Sequence, residues 1–105
     1  MSNNKKLYRE NGIMINPGTL HPDYHVKILY DGLLNKSGAT HVYAHIGFDT
    51  EWNSQQDYPM VKKSNGFEVC IPVQNADTLN IAFKDCANNW DNNDGHNYTF
   101  DIAAK

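Results

Sequence analysis

The chain has 105 residues, a mass of 11.9 kDa and a formal net charge of -3, which fits one domain with little room for a deep catalytic cleft. Its only arginine is Arg9, and this excludes the basic stripe that a nucleic-acid backbone reader needs. No apolar run is long enough to span a membrane, and Met1-Ser2-Asn3-Asn4-Lys5-Lys6 has no apolar stretch behind its lysines, so neither a membrane helix nor a signal peptide is expected. A complete chain of this kind belongs in the cytoplasm; one excised from a secreted enzyme is extracellular.

In chain order, residues 1–11 are polar and are expected to be disordered. Gly12 to Gly18 is a short apolar segment closed by Pro17-Gly18. Tyr24 to Tyr30 alternates as a strand, with Tyr24, Val26, Ile28 and Tyr30 on one face. A loop follows through Gly38. Thr40 to Phe48 is the next strand: Val42, Ala44, Ile46 and Phe48 face inward, and His41, Tyr43 and His45 face outward. Residues 49–57 read as a loop carrying Trp52. Ser64-Asn65-Gly66 is a hairpin signal. Phe67, Val69, Ile71 and Val73 alternate after it, then Leu79, Ile81 and Phe83. Asp85 to Gly95 is the densest polar loop, and it carries Trp90. Tyr98, Phe100 and Ile102 share a face of the last strand.

Fourteen Asn and nine Asp against three Glu reinforce this pattern, because Asn and Asp bond nearby backbone and disfavour helix interiors. No segment offers an amphipathic helix. The expected fold is all-β: an antiparallel, immunoglobulin-like β-sandwich over residues 12–105, whose two sheets share one core. Val42, Ile46, Phe48, Val69, Ile71, Ile81, Phe83 and Phe100 are expected to be buried. Cys70 and Cys86 are read as free, partly buried thiols in preference to a disulfide, and no Cys-x-x-Cys pair suggests zinc or redox chemistry.

The informative residues are Trp52 and Trp90. Both lie in polar loops, off the inward phase of the strands. An exposed indole asks for something to stack on it, and the apolar C–H face of a pyranose suits an electron-rich ring. Asn88, Asn89, Asp91, Asn92 and Asn93 surround Trp90 with groups that bond sugar hydroxyls. His45 and Tyr43 share the outward face of a strand leading into the Trp52 loop, so His45 and Trp52 can flank one groove. The histidines lack metal-ligand spacing, and the Asp85–Gly95 loop lacks the ligand pattern of a calcium hand. Asp49 with Glu51, and Asp91 with Asp94, read as solvated loop carboxylates and not as a hydrolytic pair. No metal, cofactor or nucleophile is expected.

Val42-Tyr43-Ala44-His45-Ile46-Gly47-Phe48, Trp52, Met60, Gly66-Phe67-Glu68-Val69, Ile81-Ala82-Phe83-Lys84-Asp85, Asn89-Trp90-Asp91-Asn92-Asn93 and Asn97-Tyr98 together resemble a starch-binding carbohydrate-binding module. Family 25 is the nearest pattern, with the related family 53 beside it. The resemblance covers about residues 24–103 and departs at Cys86, where the family carries Gly. It implies a β-sandwich that binds α-1,4-glucans and is usually attached to amylases. It assigns the platform to His45, Trp52 and Trp90. Tyr43, Asn92 and Asn93 are expected to add hydroxyl contacts. The expected function is non-catalytic glucan binding by a monomer, with no nucleic-acid or membrane partner. The alternative is a protein-interaction sandwich using the same rings.

Overall fold

The architecture follows from strands whose alternate side chains are apolar: each must bury one face, and two such sheets bury theirs against each other. The computed structural model describes residues 7–103. Among the described residues nine strands form two sheets: β1 (Ile13–Asn16), β2 (His25–Tyr30), β3 (Val42–Phe48), β4 (Asn53–Pro59), β5 (Val61–Lys63), β6 (Gly66–Pro72), β7 (Thr78–Asp85), β8 (Trp90–Asp91) and β9 (Tyr98–Asp101). One sheet runs β1-β2-β6-β5. The other runs β4-β3-β7-β8, with β9 also pairing β7. All these pairings are antiparallel, and the fold is the β-sandwich that the sequence implies.

The core is the inward phase of both sheets. Ile13, Ile15, Val26, Ile28, Phe67 and Ile71 meet Val42, Ala44, Ile46, Phe48, Leu79, Ile81, Phe83 and Phe100. Of the eight residues expected inside, Val69 alone is half-buried, packed against the core and not within it. Tyr24 departs from its expected face and is 69% exposed. It lies in a turn, where its N–H donates to the His21 carbonyl (3.3 Å), and the strand starts only at His25. The β5–β6 hairpin turns at Ser64-Asn65, as expected. Gly66 follows at φ +134, where any Cβ would fall 2.5 Å from the Tyr30 carbonyl oxygen.

Three stretches differ from the sequence reading. Residues 53–57, read as loop, belong to strand β4: the strand's side chains are mostly exposed, so no apolar period marks it. The 31–38 connection contains a helical turn, α1 (Leu33–Lys36), held by backbone bonds that no periodicity signals in so short a piece. At the N-terminus, residues 1–6 lie outside the described residues. Tyr8, however, packs edge-to-face on Tyr98 and Phe100 (centroids 5.0 and 5.4 Å), and its hydroxyl accepts from the Thr99 N–H. Cys70 and Cys86 are free thiols, and both are exposed, not partly buried.

One buried polar cluster ties the sheets together. The Asp91 carboxylate accepts from the Tyr98 hydroxyl (2.7 Å) and from the Tyr30 hydroxyl (2.5 Å). The Tyr30 oxygen in turn accepts from the Leu34 N–H (3.0 Å), which seats α1. Burial, followed by the adjacent Asp91 carboxylate, pushes both phenols well above the usual tyrosine range, so they remain donors. Asp91 is itself buried and fully bonded, which is the condition for tolerating a carboxylate in a core. Unpairing a buried hydroxyl costs on the order of 1–3 kcal/mol. Asp91→Ala is therefore expected to lower the unfolding free energy in urea by about 2–5 kcal/mol. Tyr30→Phe, which removes both the bond to Asp91 and the one from the Leu34 N–H, should lower it as well. A loss below 1 kcal/mol for Asp91→Ala would show that the cluster holds nothing.

Candidate functional site

The candidate site occupies the outer face of the five-stranded sheet. On β3 the inward residues alternate with Tyr43, His45 and Gly47, which therefore face out. Their partners across β7 are Lys84, Ala82 and Asn80, and β4 places Asp57 opposite His45. On β8, Trp90 stands opposite Lys84 while its neighbour Asp91 points into the core. The buried Asp91 thus fixes the outward side of Trp90, which is 43% exposed.

Trp52 is placed by a strained connection. Asp49, Trp52 and Ser54 all take left-handed backbone at φ 61, 54 and 56. Such residues persist only where the surroundings fix them. The Asp49 carboxylate accepts from the N–H groups of Asp77 (2.8 Å) and Thr78 (3.2 Å). The Asp49 carbonyl accepts from the Asn80 amide (2.7 Å) and the Trp52 N–H (3.1 Å). Asn80 is buried and accepts from the Thr99 hydroxyl (2.8 Å), so the connection is anchored to the sheet beneath it. The Trp52 ring lies over Gly47: a Cβ there would fall 2.3 Å from Trp52 Cε3.

His45 sits between the two indoles. Its ring is stacked on Trp52 (centroids 5.4 Å, 22°) and edge-on to Trp90 (5.5 Å, 85°). His45 Nδ1 is 2.5 Å from Asp57 Oδ1, Asp57 Oδ2 is 2.8 Å from Lys84 Nζ, and Lys84 Nζ lies 5.4 Å over the Trp90 ring. The four side chains close a loop. Partial burial pushes the Asp57 carboxyl up, but the hydrogen bonds from Lys84 and His45 outweigh it and hold the group below the usual range. An ionised carboxylate only accepts, so His45 carries its proton on Nδ1 and leaves Nε2 for a ligand.

These residues bound an open groove of about 450 Å³, lined by His45, Trp52, Gln55, Ala82, Trp90, Asn92 and Asn97. His45, Trp52, Trp90 and Asn92 are thus brought together. Tyr43 is on the same face but lines an adjoining recess with Asp57, Pro59 and Asn88. Asn93, at φ 55, donates its amide to the Asn97 carbonyl (3.1 Å) and supports the loop. Gln55, Ala82, Asn97, Asp57 and Lys84 escaped the sequence reading. Gln55 and Asp57 were hidden because β4 reads as loop. The one available signal was the smallness of Gly47 and Ala82 on a face otherwise carrying rings. The Asp85 carboxylate is engaged by its own loop, accepting from the N–H groups of Ala87 (2.9 Å) and Asn89 (2.8 Å) and from the Asn89 amide (3.0 Å). The Asn89 bonds, foremost among these, hold its carboxyl below the usual range.

The starch/carbohydrate-binding module of family 53 matches residues 26–81, which span β2 to β7 and include His45 and Trp52. An α-amylase of Clostridium acetobutylicum is 37% identical over 75 residues, 69% of this chain. The chain spans about 9% of that relative's length. No solved structure matches.

Two outcomes follow from the geometry. Gly47→Ala is expected to displace Trp52: in a Trp90→Phe background its fluorescence should become more accessible to acrylamide while the far-ultraviolet spectrum is unchanged. Unaltered quenching would mean the ring is not seated on Gly47. For Asp57, the folded carboxyl titrates below the usual carboxylate range. Its contribution to stability is therefore present above the ordinary carboxylate range and lost as pH falls through the lowered folded-state titration. Carboxyl NMR should give a midpoint below the usual aspartate range that rises in Lys84→Met; an unshifted midpoint would remove the ion pair from the account.

Proposed function

The chain belongs to family 53 of the starch/carbohydrate-binding modules, and we propose that it binds α-1,4-glucans such as starch, glycogen and maltooligosaccharides, without catalysis, as a monomer. The observation that carries this reading is the groove itself: two indoles, each within 5.5 Å of one imidazole that lies between them, edged by three side-chain amides. In this reading the ring faces take the C–H faces of successive glucose units. The amides of Gln55, Asn92 and Asn97 take hydroxyls, as does His45 Nε2. Ala82 keeps the floor low enough for a sugar to lie between the rings. Tyr43 and Asn93 flank the site, Asn93 by holding Asn97. The α-amylase relative supports the choice of α-glucan. Attachment to such an enzyme, to target it to its polymer, fits the same reading.

Binding is expected to rest on stacking and neutral hydrogen bonds. In a native gel cast with soluble starch, the protein should be retarded, and maltooligosaccharides should release it. Free mobility together with a co-purifying protein would favour the interaction-module alternative. Trp52→Ala and Trp90→Ala should each weaken binding more than about tenfold, because a central stacked ring typically contributes about 2 kcal/mol or more. Their melting temperatures should change little, since both rings lie on the outer face. A variant that unfolds would assign its ring to the fold. Affinity should also hardly change between low and moderate salt; a steep fall would point to a charged ligand.

A further inference from the structure

Trp90 lines a second recess besides the groove, of about 600 Å³. Its lining includes the apolar Leu33, Leu34 and Ala39, with Thr40, and Asp85, Cys86 and Ala87 of the 85–89 loop. We propose that this recess takes the glucose units of an α-1,4-glucan that run beyond the groove, so that one chain crosses Trp90 and occupies both. The inference rests on the glucan reading of the groove and extends it to a preference for longer chains.

Three observations support it. First, the two spaces share Trp90, and a polymer held in an open groove by its middle must leave it along a neighbouring surface. Second, the recess is built and not incidental. The Leu34 N–H donates to the Tyr30 hydroxyl, which donates to Asp91, the residue after Trp90. The Leu33–Leu34 side and Trp90 therefore hang from one buried chain of hydrogen bonds, and a preformed site loses little freedom on binding. Third, Leu33 and Trp90 are 59% and 43% exposed. Covering two apolar side chains beside hydroxyl and amide groups suits a sugar, which has both kinds of surface. The recess beside Tyr43 is the weaker route: it shares no lining residue with the groove, and the Asp57–Lys84 ion pair lies in its wall.

Calorimetric affinities for maltotriose and maltoheptaose test this on the whole chain. The wild type should bind maltoheptaose at least about fivefold more tightly, the effect of one added contact of ordinary strength. Leu33→Ser, which removes apolar wall, and Ala87→Arg, which fills the space, change exposed residues and should leave the melting temperature unchanged. Both should bring maltoheptaose down to the maltotriose value without altering maltotriose. As an independent measure, in Cys70→Ser protein saturating maltoheptaose should slow alkylation of Cys86, which also lines the recess beside Tyr43, several-fold; maltotriose should not, and Tyr43→Ala should leave the protection in place. Equal affinities for the two sugars, or unprotected Cys86 and a wild-type preference for maltoheptaose in Ala87→Arg, would overturn the proposal while leaving the groove intact. Failure of both sugars to bind the wild type would sink the glucan reading, and this extension with it. Protection of Cys86 by a co-purified protein alone would overturn it in favour of a protein partner.

Discussion

The bond from the Tyr30 hydroxyl to the Asp91 carboxylate is the constraint on which the arrangement depends. It joins β2 of one sheet to β8 of the other through the core. A carboxylate is costly to bury, and it stays only because two phenols donate to it. In return it fixes a two-residue strand that has little else to define it. Alternation then does the rest: if Asp91 points in, Trp90 points out. The same hydroxyl holds the Leu34 N–H, so the short helix and the exposed indole are set relative to one another.

On the outer face a second logic applies. The rings of Trp52, His45 and Trp90 are held in place by groups beneath and beside them, not by burial. Gly47 lets Trp52 lie on the sheet, Ala82 leaves the floor open, and the Asp57–Lys84 pair aligns His45 while setting a cation over Trp90. Half-exposed ion pairs add little to stability. Their value here is orientation: Asp57 selects the His45 tautomer, and with it which ring nitrogen meets a ligand. A site arranged in this way is rigid before anything binds, which suits a module whose contacts are weak one by one.

Much of this was legible in the residues. The inward phase of β3, β6, β7 and β9 can be read directly, because a strand between a core and solvent must alternate. Trp52 and Trp90 stand out because their positions break that phase. Other features were hidden for physical reasons. The exposed side chains of β4 give no apolar period, so the strand bearing Gln55 and Asp57 reads as a loop. α1 is too short for helical periodicity. Trp52 sits where it does through left-handed backbone at Asp49 and an anchor to Asn80, a long-range arrangement that local sequence does not announce. Asn93 read as a sugar contact because amides suit hydroxyls, yet its amide is bonded to its own loop.

The central claim is that the face carrying His45, Trp52 and Trp90 is where an α-glucan binds. The chain has two tryptophans, so a nitrogen–proton NMR spectrum contains two indole signals, one from each wall of the groove. Titration with maltoheptaose should move both, saturably and with one apparent Kd, while the backbone signals of Met14 and Val61 on the opposite sheet stay fixed. Indole signals that do not move while those of the four-stranded sheet do would contradict the account.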